Sequence, residues 1–128
     1  MIPVSMANEQ AVLTGAVTHV RDGDTIEIAE VPIRLNGVSA PELDEPLGKQ
    51  SKKFMRELVE GRVVRCELNG QKTYDRFVGT CYLDGKDIGI SVIGAGLALD
   101  CPRYSSGRYA EFEQAAARDL ITLPKYCR

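Results

Sequence analysis

Three short strand-like segments follow one another in the first part of the chain, with turn residues between them. Residues 11–20 alternate loosely and are rich in Val and Thr. Residues 25–29 (TIEIA) alternate strictly, and residues 33–38 (IRLNGV) form a third run. A period of two turns one face of each segment toward a core and the other toward water. The first separator is Arg21-Asp22-Gly23-Asp24, where glycine is expected to supply the tight backbone of a hairpin; the second is punctuated by Pro32. The consequence is a meander.

Residues 41–48 are polar and turn-like. The run 49–60 then sets Phe54, Met55, Leu58 and Val59 on one side with charges opposite, which predicts a helix ended at Gly61. Residues 62–68 (RVVRCEL) and 77–83 (FVGTCYL) are β-rich, and the polar loop 69–75 joins them as a second hairpin. Residues 88–99 (IGISVIGAGLAL) fit a strand or a buried helix on periodicity alone. A short helix is favoured because Asp87 can cap its start and Gly96 can relieve its end. A loop is expected over 101–107, an amphipathic helix over 108–120 with Tyr109, Phe112, Ala116 and Leu120 near one stripe, and an irregular end over 123–127. The order βββ-α-ββ-α-α, an α+β chain that is mainly β, is what a small five-stranded, partly open barrel needs to close its edges.

At 128 residues and 14.0 kDa the chain is read as one domain over 11–128 preceded by a short extension, 1–10, which lacks the basic start and apolar centre of a secretory signal. No apolar run approaches the about 18 residues of a membrane span, so membrane association is not expected. The net charge of −2 and pI near 5.4 argue against a protein that coats nucleic acid without specificity. Charge is unevenly distributed: residues 1–47 hold two basic and eight acidic residues, whereas 48–128 hold fourteen basic and ten acidic. An acidic patch beside the isolated Arg21 and Arg34 suits a cation site facing a phosphate, or ordinary solvated charge.

The four cysteines, Cys66, Cys81, Cys101 and Cys127, form no CxxC pair, and the single histidine, His19, sits in a strand-like run, which disfavours zinc. The strand reading favours disulfides Cys66–Cys81 and Cys101–Cys127, and with them a periplasmic or secreted protein. The alternative is four reduced thiols in a cytoplasmic one.

Three tracts point to chemistry: Asp22-Gly23-Asp24-Thr25; Arg34-Leu35-Asn36-Gly37-Val38-Ser39-Ala40-Pro41-Glu42; and Tyr74-Asp75-Arg76. Each is weak alone, since Asp-Gly turns are common in hairpins. Together, in this order and spacing, they resemble the staphylococcal nuclease family, with its DGDT turn, R-L-x-G-[IV]-D-A-P-E tract and D-R-Y-G-R hairpin. Gly96-Leu97-Ala98 looks like the family's G-L-A, and the resemblance runs from about Ala11 to Leu120. It implies a five-stranded barrel of the oligonucleotide-binding type with three helices. In the third tract, matching Asp75 to the family's aspartate would leave Gly79 at the arginine position. Arg76 stands nine residues before Gly85, the family's separation, and a shortened polar loop costs less than a register change that turns side chains to the wrong face. Arg76 is therefore the expected arginine.

The resemblance implies hydrolysis of phosphodiesters in single-stranded DNA or RNA by a monomer, assisted by Ca²⁺. Asp24 would be a metal ligand, with Asp22 close enough to help and Ala40 contributing its backbone carbonyl; Glu42 would be the general base. Arg34 and Arg76 would meet the charge that builds on the phosphate. Tyr74 and Tyr104 would contact a terminal phosphate and a base, stacking on Tyr104 tolerating any base. Ser39 stands where the family has a metal-ligating aspartate, and a neutral hydroxyl binds Ca²⁺ more weakly than a carboxylate. A noncatalytic nucleic-acid-binding module and a protein-interaction domain are the competing readings. In these, Arg34 pairs with Glu42 as a simple salt bridge, Asp24 forms a turn and Tyr104 covers the core.

Overall fold

The computed structural model describes residues 11–128; the expected N-terminal extension, 1–10, lies outside the described residues. The first hairpin is formed by β1 (Ala11–Asp22) and β2 (Thr25–Ile28), and β3 (Val31–Leu35) continues it. All are antiparallel neighbours, with Asp22 opposite Thr25 and Thr25 opposite Arg34. Pro32 does not end the strand but lies within β3, opposite Glu27. It lacks an N–H, and the ladder on the other edge of β3 begins only at Ile33, so no sheet bond is missed. The expected third strand breaks at Gly37, whose φ of +74° turns the chain into a separate two-residue strand, β4 (Val38–Ser39).

The second hairpin is longer than its composition implies. After α1 (Gly48–Val59), β5 runs from Val63 to Thr73 and β6 from Arg76 to Leu83. The expected polar loop is therefore mostly strand, with a register irregularity between Leu68 and Lys72 and a tight turn at Tyr74-Asp75. Lys72 and Thr73 pair with Phe77 and Arg76, and the Asn69 side chain accepts from the Gln71 N–H at 2.9 Å, so a stretch whose side chains look like loop has partners for part of its backbone. A parallel ladder between β3 and β6 joins the ends of the β3-β2-β1-β5-β6 series, so these five strands pair in a closed ring. β7 (Lys86–Asp87) extends the edge beside β6.

The interior is filled by the inward faces of these strands, including Val17, Val20, Ile26, Ile28, Ile33 and Leu35, all buried. Each such side chain contributes about 1.5–3 kcal/mol by leaving water. Helix α1 covers the ring with Met55 and Val59 fully buried and Phe54 and Leu58 packed against them, the side expected from its pattern. Helix α2 (Ile88–Gly94) is capped by the Asp87 carboxylate, which accepts from the Gly89 N–H at 2.7 Å. It stops short of the expected end because Gly96 adopts φ +78° and the chain continues into β8 (Leu99–Asp100), which pairs with β4.

The C-terminal third departs most from expectation. The first loop holds a single helical turn, α3 (Pro102–Ser105), begun by proline. The expected helix over 108–120 is instead a 3₁₀ turn (Ala110–Phe112), two extended residues, and a short α4 (Ala115–Leu120). Three distant hydrogen bonds break it. The Tyr109 hydroxyl donates to the buried Asp87 carboxylate at 2.9 Å, the Asp100 N–H donates to Glu113 at 2.8 Å, and the Gln114 amide donates to the Gly94 carbonyl at 3.0 Å. Leu120 and Ala116 are consequently exposed, and Ala117 is the buried residue of α4. A second 3₁₀ turn, Lys125–Cys127, ends the chain. Both expected disulfides are present: Cys66–Cys81 directly across the β5–β6 hairpin and Cys101–Cys127 between α3 and the last turn.

Candidate active site

Where the first hairpin, the β3–β4 turn and the tip of the β5–β6 hairpin meet, a cleft of about 840 Å³ opens. Asp22, Asp24, Arg34, Glu42, Tyr74, Arg76 and Tyr104 all line it. Ser39 and Ala40 do not: Ser39 is 2% exposed, and Ala40 acts through its backbone N–H, which donates to Asp24 Oδ2 at 2.9 Å.

Glycine shapes the acidic turn by making room, since Gly23 is not in the left-handed region. A Cβ there would overlap the Ser51 hydroxyl of α1 and come within 2.9 Å of the Ala40 Cβ. The turn can therefore lie directly on the helix, which turns Asp22 and Asp24 toward the cleft. Asp22 Oδ1 accepts from the Asp24 N–H at 3.1 Å, and Asp24 Oδ1 accepts from the Thr25 hydroxyl at 3.2 Å. Burial, and then the Asp24 carboxylate beside it, push the Asp22 carboxyl up to about 7.

Arg34 is held by its own strand. One terminal nitrogen donates to the Leu35 and Val38 carbonyls at 2.7 and 2.6 Å, so the guanidinium folds over the Gly37 turn. Its other terminal nitrogen faces Asp24 at 3.5 Å. The ion-pair partner of Arg34 is thus Asp24 and not Glu42. Glu42 is exposed on the loop before α1, and among the described residues its carboxylate enters no ion pair; its N–H donates to Glu45 at 2.7 Å.

Arg76 reaches the same cleft from β6. Its Nε donates to the Thr73 carbonyl at 3.3 Å and a terminal nitrogen to the Thr25 hydroxyl at 3.2 Å, beside Asp24. It lies over the Tyr74 ring, 5.8 Å from the centroid. Gly79, the alternative position for that arginine, lies inside the sheet opposite Leu68 and Leu35. A Cβ there would meet the Glu67 carbonyl oxygen at 2.7 Å, and the Gly79 carbonyl accepts from Asn36 at 2.8 Å.

The family described as "Staphylococcal nuclease homologue" matches residues 32–119. The chain belongs to this family. A succinoglycan biosynthesis protein, ExoI, of Rhizobium meliloti (strain 1021) is 42% identical over 107 residues, covering 74% of this chain and 56% of that protein. An uncharacterized endonuclease of Escherichia coli O157:H7 is 33% identical over 109 residues, covering 81% and 71%. The staphylococcal-like nuclease CAN1 of Arabidopsis thaliana is 29% identical over 92 residues, covering 71% and 28%. The chain therefore spans about half of the first relative and a larger share of the second.

As a staphylococcal nuclease homologue, the chain brings the seven cleft residues expected from its motifs to one place and leaves Ser39 buried outside the lining. The motifs gave no role to Thr25 and Asn36, which stand within them, and did not include Thr73, which with Thr25 holds Arg76, or the further lining residues Lys72 and Tyr126. Tyr126 had one available signal: its neighbour Cys127 pairs with Cys101, three positions from Tyr104. Among the described residues no group of three or more His, Cys, Asp or Glu side chains is arranged to hold a metal ion, and no helix is long and apolar enough to cross a membrane.

Proposed function

We propose that this chain hydrolyses phosphodiester bonds in single-stranded DNA or RNA at the cleft between its two hairpins, with Ca²⁺ bound at the acidic turn. The observation that carries the reading is the convergence of Arg34, Glu42 and Arg76 on one cleft beside Asp22 and Asp24, in a member of the staphylococcal nuclease homologue family.

The donor set fits a hard divalent cation. Asp22 and Asp24 are oxygen ligands beside one another, and a cation would offset the burial and then the Asp24 charge that together raise the Asp22 carboxyl. When bound, Ca²⁺ supplies a positive charge that polarises the phosphate and lowers the pKa of nearby water. The other steps belong to side chains of this chain. Glu42, exposed and without an ion-pair partner among the described residues, takes a proton from the attacking water. Arg34 and Arg76 donate to the phosphate oxygens as negative charge builds there, already oriented by Leu35, Val38, Thr25 and Thr73. Tyr74, 94% exposed at the rim, contacts a terminal phosphate, and Tyr104 stacks on a base.

A second reading, a nucleic-acid-binding module with impaired catalysis, is favoured by Ser39, which lies outside the cleft lining where the family carries a metal-ligating carboxylate. We further propose that 11–128 is one domain acting as a monomer in an oxidising compartment, periplasmic or extracellular. The two disulfides support that location.

The deciding experiment is cleavage of single-stranded DNA and RNA in millimolar Ca²⁺ against chelator, with Glu42→Ala as control. Calcium-dependent cleavage that Glu42→Ala loses is the expected result. Oligonucleotide binding without cleavage would establish the module instead.

A further inference from the structure

We propose that Tyr126 is a second stacking platform beside Tyr104, taking a base of the single-stranded nucleic acid whose phosphate lies at Arg34 and Arg76. The inference rests on the nucleic-acid reading above for the identity of its ligand.

Tyr126 lies on the last 3₁₀ turn with 53% of its surface exposed, and Tyr104 lies on α3 with 45% exposed. Both rings line the cleft that holds the two arginines. The sequence separates them by 22 positions, and the Cys101–Cys127 disulfide brings their segments together. Cys101 is the residue before α3, Cys127 follows Tyr126, and both sulfurs belong to buried residues. The surrounding backbone is pinned as well. The Cys101 N–H donates to the Gly37 carbonyl at 2.8 Å, the Tyr104 N–H to the Cys101 carbonyl at 3.0 Å, and the Cys127 N–H to the Pro124 carbonyl at 3.0 Å. The Asn36 amide donates to the Tyr104 carbonyl at 3.2 Å, tying this wall to the turn over which Arg34 folds.

Two half-exposed aromatic rings on a covalently fastened wall offer contact area at small entropic cost, because little freedom remains to be lost on binding. A tyrosine presents a π face to any base and keeps its hydroxyl in water. Guanidiniums and tyrosines lining one cleft match the two ends of a nucleotide, phosphate and base. The disulfide, in this arrangement, builds part of the binding surface besides stabilising the chain.

The test uses a fluorescein-labelled single-stranded oligothymidylate and the full chain in calcium, with binding read by fluorescence anisotropy and cleavage read separately. Tyr126→Ala is expected to raise Kd and KM about tenfold with kcat retained, and Tyr126→Phe to restore both constants. The double substitution Cys101→Ser with Cys127→Ser is expected to weaken binding in the same way. An oligothymidylate with an abasic sugar beside the cleaved phosphate is expected to bind the unaltered protein and Tyr126→Ala equally. The platform is overturned if Tyr126→Ala leaves Kd and KM within about twofold of the unaltered protein, or weakens the abasic strand as much as the intact one. Binding without cleavage by the unaltered protein would sink only the hydrolytic reading, and Tyr126→Ala would still decide the platform by Kd. Absence of binding would sink both.

Discussion

Arg21 donates a parallel pair of hydrogen bonds, at 3.1 and 2.8 Å, to the two oxygens of Asp75, a residue 54 positions further along the chain. The guanidinium also pairs with Glu27 at 2.8 Å and holds the Asp75 carboxyl below the usual carboxylate range. Arg21 precedes Asp22 of the acidic turn, and Asp75 precedes Arg76. The pair therefore fastens the tip of the second hairpin, next to Arg76, to the end of β1, next to Asp22.

That fastening predicts a catalytic cost without a stability cost. Asp75→Ala is expected to lower kcat about tenfold by loosening Arg76, with Asp75→Glu recovering most of it. Both variants should melt at the same temperature as the unaltered protein, because an exposed ion pair contributes little to folding. An unchanged kcat in Asp75→Ala would show that Arg76 is held by Thr25 and Thr73 alone.

At the acidic turn, Ser39→Asp is expected to tighten calcium binding about tenfold by restoring an anionic ligand. Without the metal the same change lowers stability, since it adds a carboxylate at a buried position, next to the Ala40 N–H that Asp24 accepts from. Calcium titrations followed by thermal melting check both halves. The variant should start below the unaltered protein and gain more from each increment of calcium.

Stability of the metal-free protein should fall as pH rises from about 4 to 7. The Asp22 carboxyl is pushed up to about 7 by burial and by Asp24, from an ordinary value of 3.8. Between those values the folded chain keeps a proton that the unfolded chain has released, so raising the pH favours unfolding. Asp22→Asn removes the titration, and its melting temperature in chelator should be flatter across this window. Parallel curves for the two proteins would contradict the coupling.

The Ser51 hydroxyl, fully buried on α1 against Gly23, is the one described buried side-chain polar atom without a hydrogen-bond partner. Ser51→Ala is expected to stabilise the protein by about 1 kcal/mol, because removing an unpaired buried group removes its desolvation cost. Gly23→Ala is expected to destabilise it by about 1–3 kcal/mol through the contact with Ala40 and Ser51. Denaturant melts measure both changes.

The cleft lining was legible where its residues sit in short tracts of the sequence. Asp24, Arg34 and Glu42 lie within nineteen consecutive positions, on the turn before β2, on β3 and on the loop before α1, and all three line the cleft. Arg76 was legible for the same reason: counting from Gly85 preserves the face of a strand, and Arg76 indeed lines the cleft while Gly79 does not. The segment 108–120 was not legible, because its amphipathic spacing is compatible with one continuous helix. Asp87, Asp100 and Gly94 claim Tyr109, Glu113 and Gln114 from outside it. The polar stretch 69–73 looks like loop for a related reason, since the partners of Lys72 and Thr73 lie on another strand.

What the sequence determined by itself was local: the period-two strands, the turns between them, the cap at Asp87, the cysteine pairs suited to a hairpin and a closing loop, and the motif residues of the site. Tertiary structure alone decided the closing ladder from β3 to β6, the seat of the acidic turn on Ser51, the exchange of Glu42 for Asp24 as the partner of Arg34, and the arrival of Tyr126 at the cleft. The physical reason is range. Periodicity and turn chemistry act over a few residues, whereas each of those outcomes depends on which distant backbone or side-chain group satisfies a buried polar atom or fills a space.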